Sequence, residues 1–236
     1  MAYKEILHYL EAHRDSENIA GMMRFGITPA HTYGIRIPML RKLAKEARPK
    51  EKQQQHSLAA QLWTKDTRET RILASLIDTP TLVTEAQMES WASEFDYWEI
   101  VDQCCANLFQ KTPFAYAKAI EWSQREPEFV KRSGFVLMAR LAVADKKALN
   151  TAFDPFWPLI VQEAGDSRNL VKKAANWALR QLGKRNLNLN QKAIYIAQKI
   201  LSQNSPSAQW IANDALRELQ SKAVQDRLQK KQQRLQ

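Results

Sequence analysis

The apolar residues of this chain recur with a period close to 3.6 almost from end to end, and the alternating stretches that a half-buried strand needs are missing. A chain patterned this way has to fold as helices that each bury one face. Its prolines fall between the periodic segments or just inside their starts. Pro38 opens MLRKLAKEAR, and Thr79-Pro80, Thr112-Pro113, Glu126-Pro127, Asp154-Pro155 and Ser205-Pro206 punctuate the later segments in the same way. The pattern predicts helices near 2–13, 17–25, 38–47, 55–64, 67–78, 83–94, 96–110, 113–124, 127–142, 145–152, 155–163, 167–183, 189–202 and 206–221. Some of these echo one another. VKRSGFVLMARL (130–141) aligns with VKKAANWALRQL (171–182), and NWALRQL with NDALREL, which pairs Arg180 with Arg217. Both offsets lie near the roughly 40-residue period of two-helix HEAT-like units. The expected fold is therefore all-α, an α-solenoid with a single repeat domain over 1–220. A polar basic tail, 221–236, follows it, with too few large apolar residues to dock firmly.

Charge narrows the partners. The 236 residues carry a formal net charge of +10, which favours nucleic acid first and an anionic surface second. Glycine is scarce, with six in the chain. Neither G-x-G-x-x-G nor a Walker-type loop occurs, which argues against a nucleotide cofactor. His8, His13, His31 and His56 share no metal-ligand spacing, so no metal and no other cofactor is expected. The two cysteines, Cys104 and Cys105, are adjacent on a predicted helix, about 100° apart, and read as small core residues in a reducing compartment. The charged start MAYKEILHYLEAHRD and the lack of any long apolar run predict a cytoplasmic protein with no membrane partner.

Two tryptophans stand beside charge. On the helix around FDYWEIVDQCCANLF, Trp98, Asp102, Cys105 and Phe109 fall within about 60° of one another. A carboxylate in such a stripe is either half of a buried ion pair or a group held in a cleft with Trp98 as one wall. On VKKAANWALRQLGKR, Trp177 lies away from the centre of the apolar face, with Lys173, Arg180 and Lys184 around it. Either another helix covers that ring, or ring and cations grip a sugar-phosphate backbone. Arg132 sits on a segment apolar nearly all round and needs a carboxylate, a phosphate or a path to water; Glu128, one turn before it, is the local candidate. Arg68 and Arg71 read as a solvated basic face with Ser75. The other tryptophans, Trp63, Trp91, Trp122, Trp157 and Trp210, read as packing residues.

YGIRIPMLRKLAKE (33–46), TRETRILASLID (67–78), DYWEIVDQCC (96–105) and KKAANWALRQ (172–181) together give the chain a recognisable look. From about Met22 to Leu219 it resembles the DNA alkylation repair enzyme family, the AlkD-type alkylpurine DNA glycosylases built from HEAT-like repeats. The spacing in YWEIVD is the most specific of these pieces. The resemblance implies a right-handed curved α-solenoid that holds double-stranded DNA with alkylated bases on a concave basic surface, a cleft that a monomer suits. It makes Asp102 the catalytic carboxylate, Trp98 and Trp177 the rings lining the sugar at the lesion, and Arg132 the cation on the backbone nearby. Lys173, Arg180 and Lys184 add phosphate contacts by their face rather than by a motif. Where excising members place a tyrosine before G-I-x-x-P, this chain has Phe25, which lacks the hydroxyl.

The implied reaction is hydrolysis of the N-glycosidic bond of a cationic N3- or N7-alkylated purine, without flipping the base into a pocket. Such a base leaves as a neutral molecule. The enzyme's task is then to stabilise charge developing on the deoxyribose, which a carboxylate and aromatic faces do. Two alternatives stand beside it: a DNA-binding or lesion-sensing relative without catalysis, and a HEAT-type protein–protein scaffold.

Overall fold

The structure is a computed structural model that describes residues 1–234; Leu235 and Gln236 lie outside the described residues. Every regular element among the described residues is helical, and the chain divides into two compact units, Met1–Pro113 and Phe114–Gln236.

The first unit holds α1 (Tyr3–Ala12), α2 (Ser16–Met23), α3 (Ile37–Ala47), α4 (Lys52–Thr64), α5 (Arg68–Ile77), α6 (Glu85–Ser93) and α7 (Trp98–Asn107), closed by a 3-10 turn at Phe109–Lys111. Helix α4 packs on α5, and α5 packs on α3 and α7. The starts are set by side-chain caps: Asp15 accepts from Asn18 N, and Thr67 from Thr70 N. Pro38 sits in the first turn of α3, as the sequence predicts. An aromatic cluster anchors the core. Trp63 and Trp91 stack at 3.9 Å and 3° from parallel, and Phe95 meets Trp63 edge-on at 6.2 Å. Helix α7 stops at Asn107, three residues short of the expected end, so Phe109 leaves the helical face that the sequence pattern shares between it and Asp102. It turns instead into that cluster, 6.2 Å from Trp91 and 6.3 Å from Phe95.

The second unit holds α8 (Ala115–Trp122), α9 (Glu128–Ala144), a 3-10 turn at Asn150–Phe153, α10 (Phe156–Glu163), α11 (Asn169–Gly183), α12 (Leu187–Leu201), α13 (Pro206–Leu219) and α14 (Lys222–Gln233). The helix expected at 145–152 is reduced to that 3-10 turn. Consecutive helices pair, α8 with α9, α10 with α11 and α12 with α13, while α9, α11 and α13 pack in series. These three helices carry the sequence echoes, so each echo marks the second helix of a repeat. Gly134 is where α9 comes close to the end of α8: a Cβ there would collide with the Ser123 backbone.

The segment expected as a tail is helix α14 as far as Gln233, and it is docked. Its few apolar residues suffice because they share a face: Val224 and Leu228, four apart, are both buried. Trp63, Trp91, Trp122 and Trp157 are buried as expected, but Trp210 is 41% exposed. Its ring lies under the Lys172 ammonium, with Nζ 5.0 Å from the ring centre.

Candidate nucleic-acid interface and carboxylate site

In the first unit the start of α7 carries the candidate carboxylate, and a buried polar network fixes that start. Arg68 grips Glu99 with two bonds, Nε to Oε2 at 2.7 Å and Nη2 to Oε1 at 2.9 Å. Its Nη1 donates to the Ile35 carbonyl at 2.8 Å and to Glu69 Oε1 at 3.0 Å. Glu69 in turn accepts from the Tyr33, Gly34 and Ile35 amides and from the Thr32 hydroxyl, at 2.9 to 3.1 Å. One arginine and two carboxylates, all buried, thus tie the 32–35 segment, α5 and the first turn of α7 together. Burial alone would lower the Arg68 pKa. The hydrogen bond and charge of Glu99, with those of Glu69, outweigh it and hold the guanidinium above its ordinary value.

Trp98 precedes Glu99 and is half-buried. Its indole N–H donates to the Phe25 carbonyl at 3.0 Å. That carbonyl is presented by a tight turn after α2: Ile27 N bonds to Met22 O, Gly26 N bonds to Met23 O, and Gly26 takes φ +68°. Bonds in that arrangement are a Schellman cap, which favours glycine at the positive φ. The Phe25 ring itself is 75% exposed. Asp102 is half-buried one turn beyond Trp98, while Cys105 is fully buried beneath it. The fold therefore brings Phe25, Trp98 and Asp102 into one region of the first unit: an exposed ring, an indole fixed by its N–H, and a partly open carboxylate.

Arg71 is also buried rather than solvated. It bonds Glu94 at 2.8 Å and Asp66 at 3.0 Å, and its guanidinium lies 4.9 Å from the Trp63 ring centre. With Arg68 in its own network, the expected basic face does not exist; both cations are committed inside the unit.

In the second unit, Arg132 is 6% exposed and donates to the Leu170 carbonyl at 2.8 Å, at the start of α11. Trp177 is half-buried on α11. Arg180 pairs with Asp214 at 3.1 Å and Glu218 at 2.8 Å, and Lys184 pairs with Glu218 at 2.6 Å. Lys173 is exposed and forms no ion pair among the described residues. The candidate cations of α11 thus differ: Lys173 offers its charge outward, whereas Arg180 and Lys184 share theirs with carboxylates of α13. The sequence held a signal for this pairing. The repeat offset aligns Arg217 with Arg180, and Asp214 and Glu218 flank Arg217 on the neighbouring equivalent helix. The Arg68–Glu69–Glu99 network lies within the segments that carry the family resemblance, but its pairing has no local signal.

Among the described residues no group of His, Cys, Asp and Glu is placed to hold a metal ion, and no helix is long and apolar enough to cross a membrane. No curated protein matches the chain. Among solved structures it is similar, over 92% of its length and 95% of the other's, to a protein described as belonging to a new family related to the HEAT-like repeat DNA glycosylases with affinity for branched DNA structures. The TM-score is 0.73 at 16% identity, which shows a shared HEAT-like repeat fold. A designed armadillo repeat protein is also similar, at a TM-score of 0.38 and 18% identity over 76% of this chain and 91% of that one. Residues 6–227 match the DNA alkylation repair enzyme family, and the chain belongs to it.

Proposed function

We propose that this protein is an alkylpurine DNA glycosylase that hydrolyses the N-glycosidic bond of N3- or N7-alkylated purines in duplex DNA, acting as a cytoplasmic monomer. The observation that carries this reading is the start of α7. There, Trp98 is fixed by its bond to the Phe25 carbonyl, and Asp102 follows one turn later, partly open to solvent.

The chemistry asks little of an acid. The glycosidic bond pair moves to the base nitrogen and cancels the positive charge of the alkylated ring, so the purine leaves neutral. Positive charge grows on the deoxyribose instead. The Asp102 carboxylate stabilises it, and the Trp98 face adds negative quadrupole. A water held by Asp102 adds its oxygen to the anomeric carbon, and its proton passes to solvent. The base itself need not enter a pocket. In the second unit the same reading gives the backbone to Lys173, exposed on α11, whereas Arg132 is buried against the Leu170 carbonyl. Arg180 and Lys184 reach phosphate only in competition with Asp214 and Glu218.

The test is release of N7-methylguanine and N3-methyladenine from methylated duplex DNA under single-turnover conditions. Asp102→Asn keeps shape and removes charge, so release should fall by about two to three orders of magnitude, with duplex affinity nearly unchanged. Equal release by wild type and variant would remove Asp102 from the mechanism.

A second reading, DNA binding without excision, is favoured by Phe25, whose exposed ring lacks the hydroxyl found at this position in excising members. The branched-DNA affinity of the structural relative names the substrate to assay beside the duplex. No release from wild type, with tighter binding to a four-way junction than to a duplex of equal length, would select this reading.

A further inference from the structure

Helix α14 covers a cleft of 410 Å³ at the ends of α9 and α11, and the cleft is lined by Lys146, Lys184, Arg185, Arg227 and Lys231 with no carboxylate among its lining residues. Some of these cations cap carbonyls. Arg185 donates to the Ala142 and Ala148 carbonyls at 2.9 and 2.8 Å. Lys231 donates to the Arg185 carbonyl at 2.6 Å, and Arg227 to that of Lys184 at 3.5 Å. Capping accounts for only part of the charge. Two helix C-termini supply about half a negative charge each, and Glu218 engages Lys184. Of the neighbouring carboxylates, Asp226 is paired with Lys222, while Asp145 accepts from the Tyr116 hydroxyl and the Ala148 amide, both neutral, and keeps its negative charge beside Lys146. About two positive charges remain uncompensated. The Lys231 amine registers that surplus, since burial and then Arg185, Lys146 and Arg227 draw its pKa below the ordinary lysine value.

We propose that this cleft is a second DNA-backbone site, which takes phosphates of one strand and continues along the same exposed face of α14. The continuation is visible in the spacing: Arg227, Lys230, Lys231 and Arg234 stand at i, i+3, i+4 and i+7, one stripe of the helix. Seven residues of helix span about 10 Å, over which one strand of B-DNA presents about three phosphates. An open cationic stripe of that length fits a phosphodiester chain better than a single small anion. The inference rests on the DNA-binding reading above but uses none of the residues assigned there to the sugar or the lesion.

The experiment is duplex binding by fluorescence anisotropy across a salt series, comparing wild type with Lys146→Gln/Arg227→Gln/Lys231→Gln. The salt slope falls by about 0.9 for each phosphate that the protein no longer neutralises, so the triple variant should lower it by about two to three and weaken low-salt binding at least tenfold. Lysine–arginine exchanges at the same three positions should retain the slope. Removing three exposed cations elsewhere, Lys45, Lys50 and Lys52, should change it far less. Should the triple variant unfold, Lys146→Gln alone, at a position that caps no carbonyl among the described residues, should still lower the slope by about 0.9. An unchanged slope, or an equal loss from the control set, overturns the cleft while leaving the glycosylase reading in place. A wild-type protein that does not bind duplex at low salt overturns both.

Discussion

Two residues of the first unit separate the proposed chemistry from stability. Phe25 is exposed and contributes its backbone carbonyl, not its ring, to holding Trp98. Phe25→Tyr therefore restores a hydroxyl without disturbing packing. It should leave the urea midpoint within experimental error and raise the single-turnover rate of N7-methylguanine release; an unchanged rate would make the missing hydroxyl irrelevant to excision. Arg68 is the opposite case, a buried cation with two carboxylate partners. Arg68→Met leaves Glu69 and Glu99 charged and buried, and should cost about 3–5 kcal/mol in urea denaturation. Adding Glu99→Leu should recover part of that loss, and additive losses would show that the pair is not coupled. The sequence displays both arginines of α5 but not their burial. Arg68 meets Glu99 from another helix, 31 positions on, and helical periodicity reports a face without saying what covers it.

At the level of elements the apolar period is the most informative signal, because helix formation is local and each apolar stripe is written within a few turns. Thirteen of the fourteen expected helices form close to their expected limits, and Pro38, Ser205 and Thr67 mark starts as their chemistry dictates. The exceptions are instructive. Residues 145–152 lose their helix while Asp145 accepts the amides of Lys147 and Ala148, a local competitor to helical bonding. The low apolar content of 221–236 argues against a docked helix, yet two well-placed residues dock α14; placement decides the outcome where composition misleads. Close packing between elements supplies a prediction of its own. Gly134→Ala should force α9 away from Ser123 and destabilise the second unit by about 1–3 kcal/mol, read as a shift in denaturation midpoint. No shift would mean that the two helices can separate freely.

For the whole molecule, the surplus of positive charge is plain from composition, but its distribution is not. Four prominent cations, Arg68, Arg71, Arg180 and Lys184, are bound to carboxylates. Among the candidate cations, Lys173 and the Arg227, Lys230, Lys231 and Arg234 stripe of α14 have no carboxylate partner among the described residues. Cations of that kind recognise backbone rather than bases. Affinity for undamaged duplexes of different sequence should therefore agree within about threefold, and fall steeply between about 50 and 200 mM salt. A strong sequence preference at constant salt would point to base readout that this arrangement does not provide. The candidate carboxylate and its tryptophan are legible in the sequence because one short segment carries both. The fixing of that segment by Arg68, Glu69 and the 32–35 loop is not, since it is assembled from three separate stretches.

The chain has two cysteines, and both lie fully buried on α7, two and three residues after Asp102. Burial also raises the Cys104 thiol pKa, so little thiolate forms while the helix is in place. A thiol reagent then modifies the native protein only when α7 opens, and no thiol of the second unit competes for it. The rate of labelling is a clock for the breathing of the helix that bears the candidate carboxylate. Run with and without DNA, it would time how far the substrate quiets that motion without any engineered probe.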